Sequence, residues 1–289
     1  SAVPRLQTTP RSEESPHQMT KNDRVAAVVV TYNRKNLLLQ CLDAILGQTH
    51  PVARLIVVDN ASDDGTEALL QDAGHPASDR LVYVRLPENT GGSGGFHEGL
   101  KRATAEGYDW YWLLDDDVVP QADALASLLS YKHLSECIHP LVVYDDGSSH
   151  EWEHVLDPYT THQIGLGNTS FRHEKDWCPM HVACFEGMLV SQRIVERVGL
   201  PDRDFFVSGD DGLFGFKAAL YTNVIYVRRA RLVKKLKPSG PLTPFKIYYD
   251  LRNRFILRRK IGEIIPIPRE TRFLFFCFMV WLSFAHVRH

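Results

Sequence analysis

Three short apolar runs, each ending abruptly in polar residues, constrain this chain more than any other feature. They are Val25-Ala26-Ala27-Val28-Val29-Val30-Thr31, Leu55-Ile56-Val57-Val58 and Trp110-Tyr111-Trp112-Leu113-Leu114. None alternates polar with apolar residues, so each reads as a strand buried on both faces. Helical spacing fills the intervals. Leu38, Leu42, Ile45 and Leu46 share one face between Lys35 and Gln48, and shorter helices are expected at 66–73 and 98–106. Leu81 to Leu86 adds a further strand. Strands alternating with helices imply an α/β fold with a mostly parallel central sheet.

In such sheets ligands bind beyond the carboxyl ends of the strands. Four polar clusters fall there: Thr31-Tyr32-Asn33-Arg34, Asp59-Asn60, the segment from Asn89 to Gly95, and Asp115-Asp116-Asp117. Three adjacent carboxylates repel one another, and burial makes that worse unless a cation or several donors compensate. Aspartates at a strand end suit a hard divalent cation such as Mn²⁺ or Mg²⁺; an acidic turn facing water is the plain alternative. The segment Asn89-Thr90-Gly91-Gly92-Ser93-Gly94-Gly95 follows a strand and opens a helix, where backbone N–H groups can approach an anion. It lacks the third glycine of a dinucleotide loop, since position 97 is His97, and the chain carries no P-loop signature.

Beyond Pro120 a helix is expected over 122–131 and a strand over 141–144. Cys184-Phe185-Glu186-Gly187 leads into an apolar run. Phe205-Phe206-Val207 reads as a strand before Ser208-Gly209-Asp210-Asp211, which repeats the pattern of apolar residues followed by acids. Asp210 or Asp211 could equally cap the helix that follows. Asn223 to Val227 reads as the last strand. The histidines His150, His154, His162, His173 and His181 show no ligand spacing and read as surface residues. Net charge of −2 gives no case for nucleic acid, and five scattered cysteines fit a reducing compartment.

Taken together, Thr31-Tyr32-Asn33-Arg34, Val58-Asp59-Asn60-Ala61-Ser62, Asn89 to Phe96 and Leu114-Asp115-Asp116-Asp117 resemble a family 2 glycosyltransferase with the GT-A fold. The glycine-rich third motif resembles the bacterial galactofuranosyltransferase and rhamnosyltransferase branch. The resemblance spans about residues 24 to 260. It implies a Rossmann-like catalytic domain over 24–245, with a nucleotide-sugar half at 24–120 and an acceptor half at 121–245. Before it, 1–23 is expected to be a disordered lead; after it, 246–289 forms a helical extension.

The resemblance implies an inverting transfer from a nucleotide-sugar donor to a glycan or lipid-linked saccharide. UDP-galactofuranose is the first expected donor and dTDP-rhamnose the next. Donor contacts would come from Thr31, Tyr32, Asn33, Arg34, Asp59, Asn60, Asn89, Gly91, Gly92, Ser93, Gly94, Gly95 and Asp116. Asp59 would meet the base or ribose. Asp115 and Asp117 would hold Mn²⁺ or Mg²⁺, and Phe185, Glu186 and Gly187 would line the acceptor. Asp211 would be the base, with Asp210 orienting it. Where relatives carry a metal-binding histidine after the next strand, this chain has Lys234, which could bind diphosphate directly. A catalytically silent nucleotide- or glycan-binding module and a sugar-nucleotide nucleotidyltransferase remain alternatives. The latter would want a basic glycine-rich first loop, which Thr31-Tyr32-Asn33 is not.

Near the end, Phe273 to Ala285 is strongly apolar but only about two-thirds of a membrane span, with Arg269, Arg272 and Arg288 around it. An interfacial helix, part of a longer membrane span and a buried terminal helix are the three readings. Basic flanks with Phe and Trp suit a headgroup region, so the expectation is a cytoplasmic enzyme peripheral to the inner face of a bacterial membrane.

Overall fold

The computed structural model describes residues 23–73, 79–150, 154–166, 176–180, 182, 184–238 and 240–287. The expected disordered lead, except Asp23, and His173 and His181 therefore lie outside the described residues. In chain order the elements are β1 (Val25–Thr31), α1 (Lys35–Leu46), β2 (Arg54–Asp59), α2 (Thr66–Asp72), β3 (Leu81–Arg85), α3 (Gly91–Glu106), β4 (Trp110–Asp115), β5 (Val118–Pro120) and α4 (Ala124–Leu129). Then follow β6 (Cys137–Tyr144), β7 (His154–Leu156), β8 (Gln163–Gly165), β9 (Trp177–Met180), β10 (Met188–Ser191), α5 (Gln192–Val198), α6 (Asp210–Ala218), β11 (Val224–Lys234), α7 (Pro244–Ile264) and α8 (Thr271–Val287).

Among the described residues the main sheet has the order β3-β2-β1-β4-β10-β6-β11-β5, with β9 pairing to β11. The first four strands are parallel, in register from Val25 opposite Trp110 through to Asp59 opposite Arg85. Beyond β4 the pairing becomes mixed, because β10 runs antiparallel to both β4 and β6. That reversal turns the residues just before β10 back towards the acidic end of β4. Every residue of β1 is buried, with one apolar core on each face of the sheet. A third core joins α6 to α7 through Phe205, Leu213, Phe216, Leu257 and Ile261.

Three elements differ from the sequence expectation. The glycine-rich segment is helix from Gly91 onward rather than loop. Its small residues serve close packing: a Cβ at Gly95 would collide with Val30, and one at Gly99 with Val28. Phe205-Phe206-Val207 is not a strand. Residues Arg203–Phe205 make a single 3₁₀ turn, and Phe206 follows with φ of 65°. The last strand runs past Val227 to Lys234, through an irregularity between Val227 and Arg231 that leaves Arg228 and Arg229 exposed. That extension pairs with β5, a three-residue strand the sequence pattern does not announce.

Candidate active site

The polar ends of β1, β2 and β3 form one hydrogen-bonded rim. Asn33, with φ of 53°, receives a bond on Oδ1 from the Asp63 N–H (2.8 Å) and donates its own N–H to Ser62 Oγ (2.9 Å). Asn60 joins β2 to the start of α3. Its Nδ2 donates to the Gly91 carbonyl (3.1 Å), and its Oδ1 accepts from Thr90 Oγ1 (3.0 Å). Asn89 Oδ1 accepts the Gly91 N–H (2.8 Å), and Gly91 has φ of 75°, which favours glycine there. Tyr32 stands at the rim, 46% exposed.

Asp59 is fully buried. Its Oδ1 accepts the Ser62 N–H (2.8 Å), and its Oδ2 accepts from the Tyr83 hydroxyl (2.5 Å). Burial first, and this bond second, hold the Tyr83 hydroxyl well above its usual pKa, so it stays a donor. The structure thus gives Asp59 a bracing role, and Tyr83 and Arg85 come to the rim unannounced by the sequence. Arg85 Nη2 donates to the Ser62 carbonyl (2.7 Å). Both alternate along a strand like any half-buried side chain, so nothing but the paired register could reveal them.

The three aspartates after β4 have separate environments. Asp116 is buried and partnered: Thr31 Oγ1 donates to its Oδ2 (2.7 Å) and Arg34 Nη1 to its Oδ1 (3.0 Å). It therefore ties β1 to β4, and the donor contact expected for it would compete with those bonds. Asp115 keeps an open edge, while desolvation and then the charge of Glu186 push its carboxyl well above the usual range. Asp117 is buried, and its Oδ1 has no hydrogen-bond donor. Lys234 Nζ lies 3.8 Å from that oxygen and forms an ion pair with Glu186 Oε1. Desolvation works to lower the Lys234 pKa, but Glu186, Asp115 and Asp117 outweigh it and hold the ammonium charged. β11 delivers this lysine because it pairs with β5, and the Lys235 N–H reaches the Asp117 carbonyl (2.8 Å).

Of the residues expected at the acceptor, two are sealed inside. The Phe185 ring packs between Phe96 (4.6 Å) and Phe214 (5.7 Å) and is buried. Gly187 donates its N–H to the Leu113 carbonyl (2.8 Å), while its own carbonyl accepts the Trp112 indole N–H (3.0 Å). Both support the sheet and leave no face for a ligand. Glu186 instead belongs to the acidic group with Asp117 and Lys234.

Asp210 and Asp211 occupy the first turn of α6, with Gly209 as N-cap, so neither is the cap residue. Asp211 Oδ1 accepts the Gly212 N–H (2.7 Å) and keeps an open edge. Burial raises the pKa of both, and for Asp210 the charge of Asp211 adds to the effect. Close by, Phe206 stacks on Tyr249 of α7 (5.1 Å, 21°), and Phe245 and Tyr248 extend that aromatic surface outward. Arg252 and Arg254 of the same helix are engaged internally with Asn253 and with Asp250.

A metal is tested by this donor set. Among the described residues no three His, Cys, Asp or Glu side chains are arranged as a metal cage. Yet Asp117 Oδ1 and Glu186 Oε2 are buried oxygens without donors. Burial raises the pKa of Asp115 and Glu186; with Lys234 charged, a divalent cation would match the net charge that Asp115, Asp117 and Glu186 carry when all three are ionised. The residues fit a hard cation shared with substrate phosphates and water, as Mg²⁺ is usually held, better than an all-protein site.

The sequence profile of glycosyl transferase family 2 matches residues 26–199, and the chain belongs to that family. It is 34% identical to galactofuranosyltransferase GlfT1 of Mycolicibacterium smegmatis over 67% of this chain and 64% of the relative. It is 32% identical to GlfT1 of Mycobacterium tuberculosis, over 65% and 62%. The chain thus spans a little under two-thirds of the length of these curated relatives. Among solved structures, it resembles GalNAc-T7 with UDP, GalNAc and Mn²⁺ (TM-score 0.65, 13% identity, 88% of this chain and 50% of that one). It also resembles the mannosyltransferase PcManGT of Pyrobaculum calidifontis with GDP-Man and Mn²⁺ (TM-score 0.61, 19% identity, 92% and 72%). At those identities the likeness establishes the GT-A fold alone.

Proposed function

We propose that the protein is an inverting glycosyltransferase that moves a sugar from a nucleoside diphosphate to a hydroxyl of a bacterial cell-surface glycan. The observation that carries this reading is the proximity of two acidic groups, close enough for the charge of Asp211 to act on Glu186. One, Asp115, Asp117 and Glu186 around Lys234, suits a diphosphate and its cation. The other, Asp210 and Asp211 on α6, suits an acceptor hydroxyl. Lys234 and Asp211 are near enough for the lysine's charge to lower the aspartate's pKa. Galactofuranose from UDP-galactofuranose is the first donor choice, by likeness to GlfT1, with dTDP-rhamnose next.

In this mechanism Tyr32 and the Asn33–Ser62 rim receive the nucleoside, and Gly92, the partly exposed glycine at the start of α3, faces the sugar diphosphate. Asp211 takes the proton of the acceptor hydroxyl as that oxygen bonds to the anomeric carbon. The bond from that carbon to the β-phosphate oxygen breaks on the opposite face, and its electron pair leaves with the nucleoside diphosphate. Asp115 and Asp117 would hold Mn²⁺ or Mg²⁺, which when bound neutralises charge developing on the leaving group. Lys234 supplies a fixed positive charge to the same phosphates from the side where relatives carry a histidine. The exposed Phe245 and Tyr248 beside Tyr249 are suited to stack on acceptor sugar rings.

We further place the reaction at a membrane surface with a lipid-linked saccharide as acceptor. Phe273, Leu274, Phe276, Trp281 and Phe284 of α8 face outward, while Phe275, Met279 and Leu282 pack inward. Among the described residues no helix is long and apolar enough to cross a membrane. Co-sedimentation with anionic vesicles tests this, and retention in the supernatant that is unchanged by Phe273→Ser and Trp281→Ser would sink it. The function itself is tested by a donor screen with mass detection of product, with and without Mn²⁺. No turnover on any donor would favour a silent nucleotide-binding module.

A further inference from the structure

Immediately before Asp210 lies a turn, residues 205–209, that the proposed mechanism does not use. Its backbone is unusual. Phe206 and Ser208 both have φ of 65°, and Gly209 has φ of 99°. Left-handed geometry at two non-glycine residues persists only where the surroundings over-determine it. One restraint comes from the donor half: the Phe206 carbonyl accepts the Ser93 N–H (3.2 Å) and presses so closely on Gly91 that a Cβ there would overlap it.

The other restraint is a single side chain of α7. Asn253 is buried, and its Nδ2 lies within hydrogen-bond distance of the carbonyls of Phe205 (3.1 Å), Val207 (2.6 Å) and Ser208 (2.7 Å). Two amide hydrogens serve three carbonyls, so at least one is shared. Arg252 Nη1 donates to Asn253 Oδ1 (2.8 Å), which sets the amide with its nitrogen towards the turn. The residue that follows this turn is Asp210, the first of α6.

We infer that Asn253 is a positioning residue: by closing the 205–209 turn it fixes Asp211 relative to the glycine-rich start of α3, and so sets the base against the sugar. This rests on the reading of Asp211 as the base. The chemistry restricts the position to a short amide. An aspartate there would aim carboxylate oxygens at three carbonyls, and an alanine would take the side-chain donor from the carbonyls of Val207 and Ser208, leaving Phe205 its bond from the Val207 N–H (2.8 Å). A general base misplaced by about 1 Å costs on the order of a hundredfold in rate. The rim at β1 and β2 that would receive the nucleoside contains none of residues 205–209; the turn touches the donor half only at the start of α3.

The test compares Asn253→Asp and Asn253→Ala with the unaltered chain, measuring thermal midpoint, UDP affinity, and kcat and KM for acceptor. The expected result is kcat lower by about a hundredfold with UDP affinity within twofold. Adding Ser208→Gly, which relieves the left-handed strain, should restore part of the lost kcat. A folded Asn253→Asp protein with kcat within twofold of the unaltered chain would overturn the inference. Should both Asn253 variants fail to fold, Arg252→Met decides, since it removes the donor that orients the amide, together with a longer contact to the Phe205 carbonyl (3.4 Å), and keeps Asn253 itself. A kcat lower by about tenfold supports the inference, and an unchanged kcat overturns it. Asp211→Asn run alongside separates the two claims. If it retains transfer, the base assignment fails; if it is inactive while Asn253→Asp is not, only the positioning role fails.

Discussion

The acids after β4 and the acids that open α6 follow similar apolar sequence, yet the protein compensates their charge in different ways. At Asp115–Asp117 the compensation comes from side chains brought from distant elements: Arg34 from the start of α1, Thr31 from β1 and Lys234 from β11. At Asp210–Asp211 it comes first from backbone N–H groups at the start of the helix, with the charge of Lys234 adding a smaller part at Asp211. Cations held by side chains can be rearranged when a charged substrate arrives, whereas a helix terminus cannot. That difference suits the first group to a diphosphate whose charge changes during reaction, and the second to a base that must stay in place.

The contrast can be broken in four ways. Asp211→Asn should have the largest effect, lowering kcat by about a thousandfold while leaving UDP affinity unchanged by calorimetry; transfer that survives would remove the assigned base. Next, Lys234→Met leaves Glu186 as a buried, unpaired carboxylate and should cost about 3 kcal/mol in urea unfolding. Most of that cost should return in the double variant Lys234→Met, Glu186→Met, and a single variant as stable as the unaltered chain would contradict the pairing. Asp117→Asn should lower kcat by about a hundredfold and raise the Mn²⁺ concentration needed for half-maximal rate, a shift that Asp211→Asn should lack.

The smallest effect concerns pH. Burial raises the Asp211 pKa above its unfolded value, so folding favours the protonated carboxyl. The stability this contributes is fully present below the unfolded pKa and is lost as pH rises through the folded one. A base must be ionised, so kcat should rise over the same window in which that stability falls. Profiles of log kcat and of the urea midpoint against pH would show the opposed slopes, and Asp211→Asn should make the stability slope shallower, the remainder coming from Asp115, Asp116, Glu186 and Asp210, whose pKa values burial also raises. Parallel slopes would mean that another group governs one of them.

The parallel half was legible because β1, β2 and β4 are buried on both faces and so read as unbroken apolar runs. The rest was hidden for physical reasons. The Gly91–Gly95 run looked like a loop because glycine disfavours helices, but here its lack of a side chain lets α3 lie against Val28 and Val30. Phe205 and Phe206 looked like a strand because both are aromatic, although one fills the core at α6 and the other stacks on Tyr249. Glu186 was placed at the acceptor from its sequence neighbours. Its actual company, Lys234 and Asp117, depends on the antiparallel reversal at β10 and on β11 reaching β5, neither of which local sequence reports.

β11 carries one further consequence. Val224 to Val227 lie in the core opposite Cys137 to Pro140, and pairing resumes at Arg231 opposite Leu141, so the surplus residues Arg228, Arg229 and Ala230 are taken up between the two stretches. The strand is in effect two strands joined by an adjustable spacer. One added residue in that spacer would carry Val233 to the place Lys234 holds beside Asp117, without disturbing the buried half. Which side chain meets the leaving phosphate is therefore governed by a length as well as by an identity, and two chains with the same residues around the spacer but different spacers would present different chemistry to the same donor.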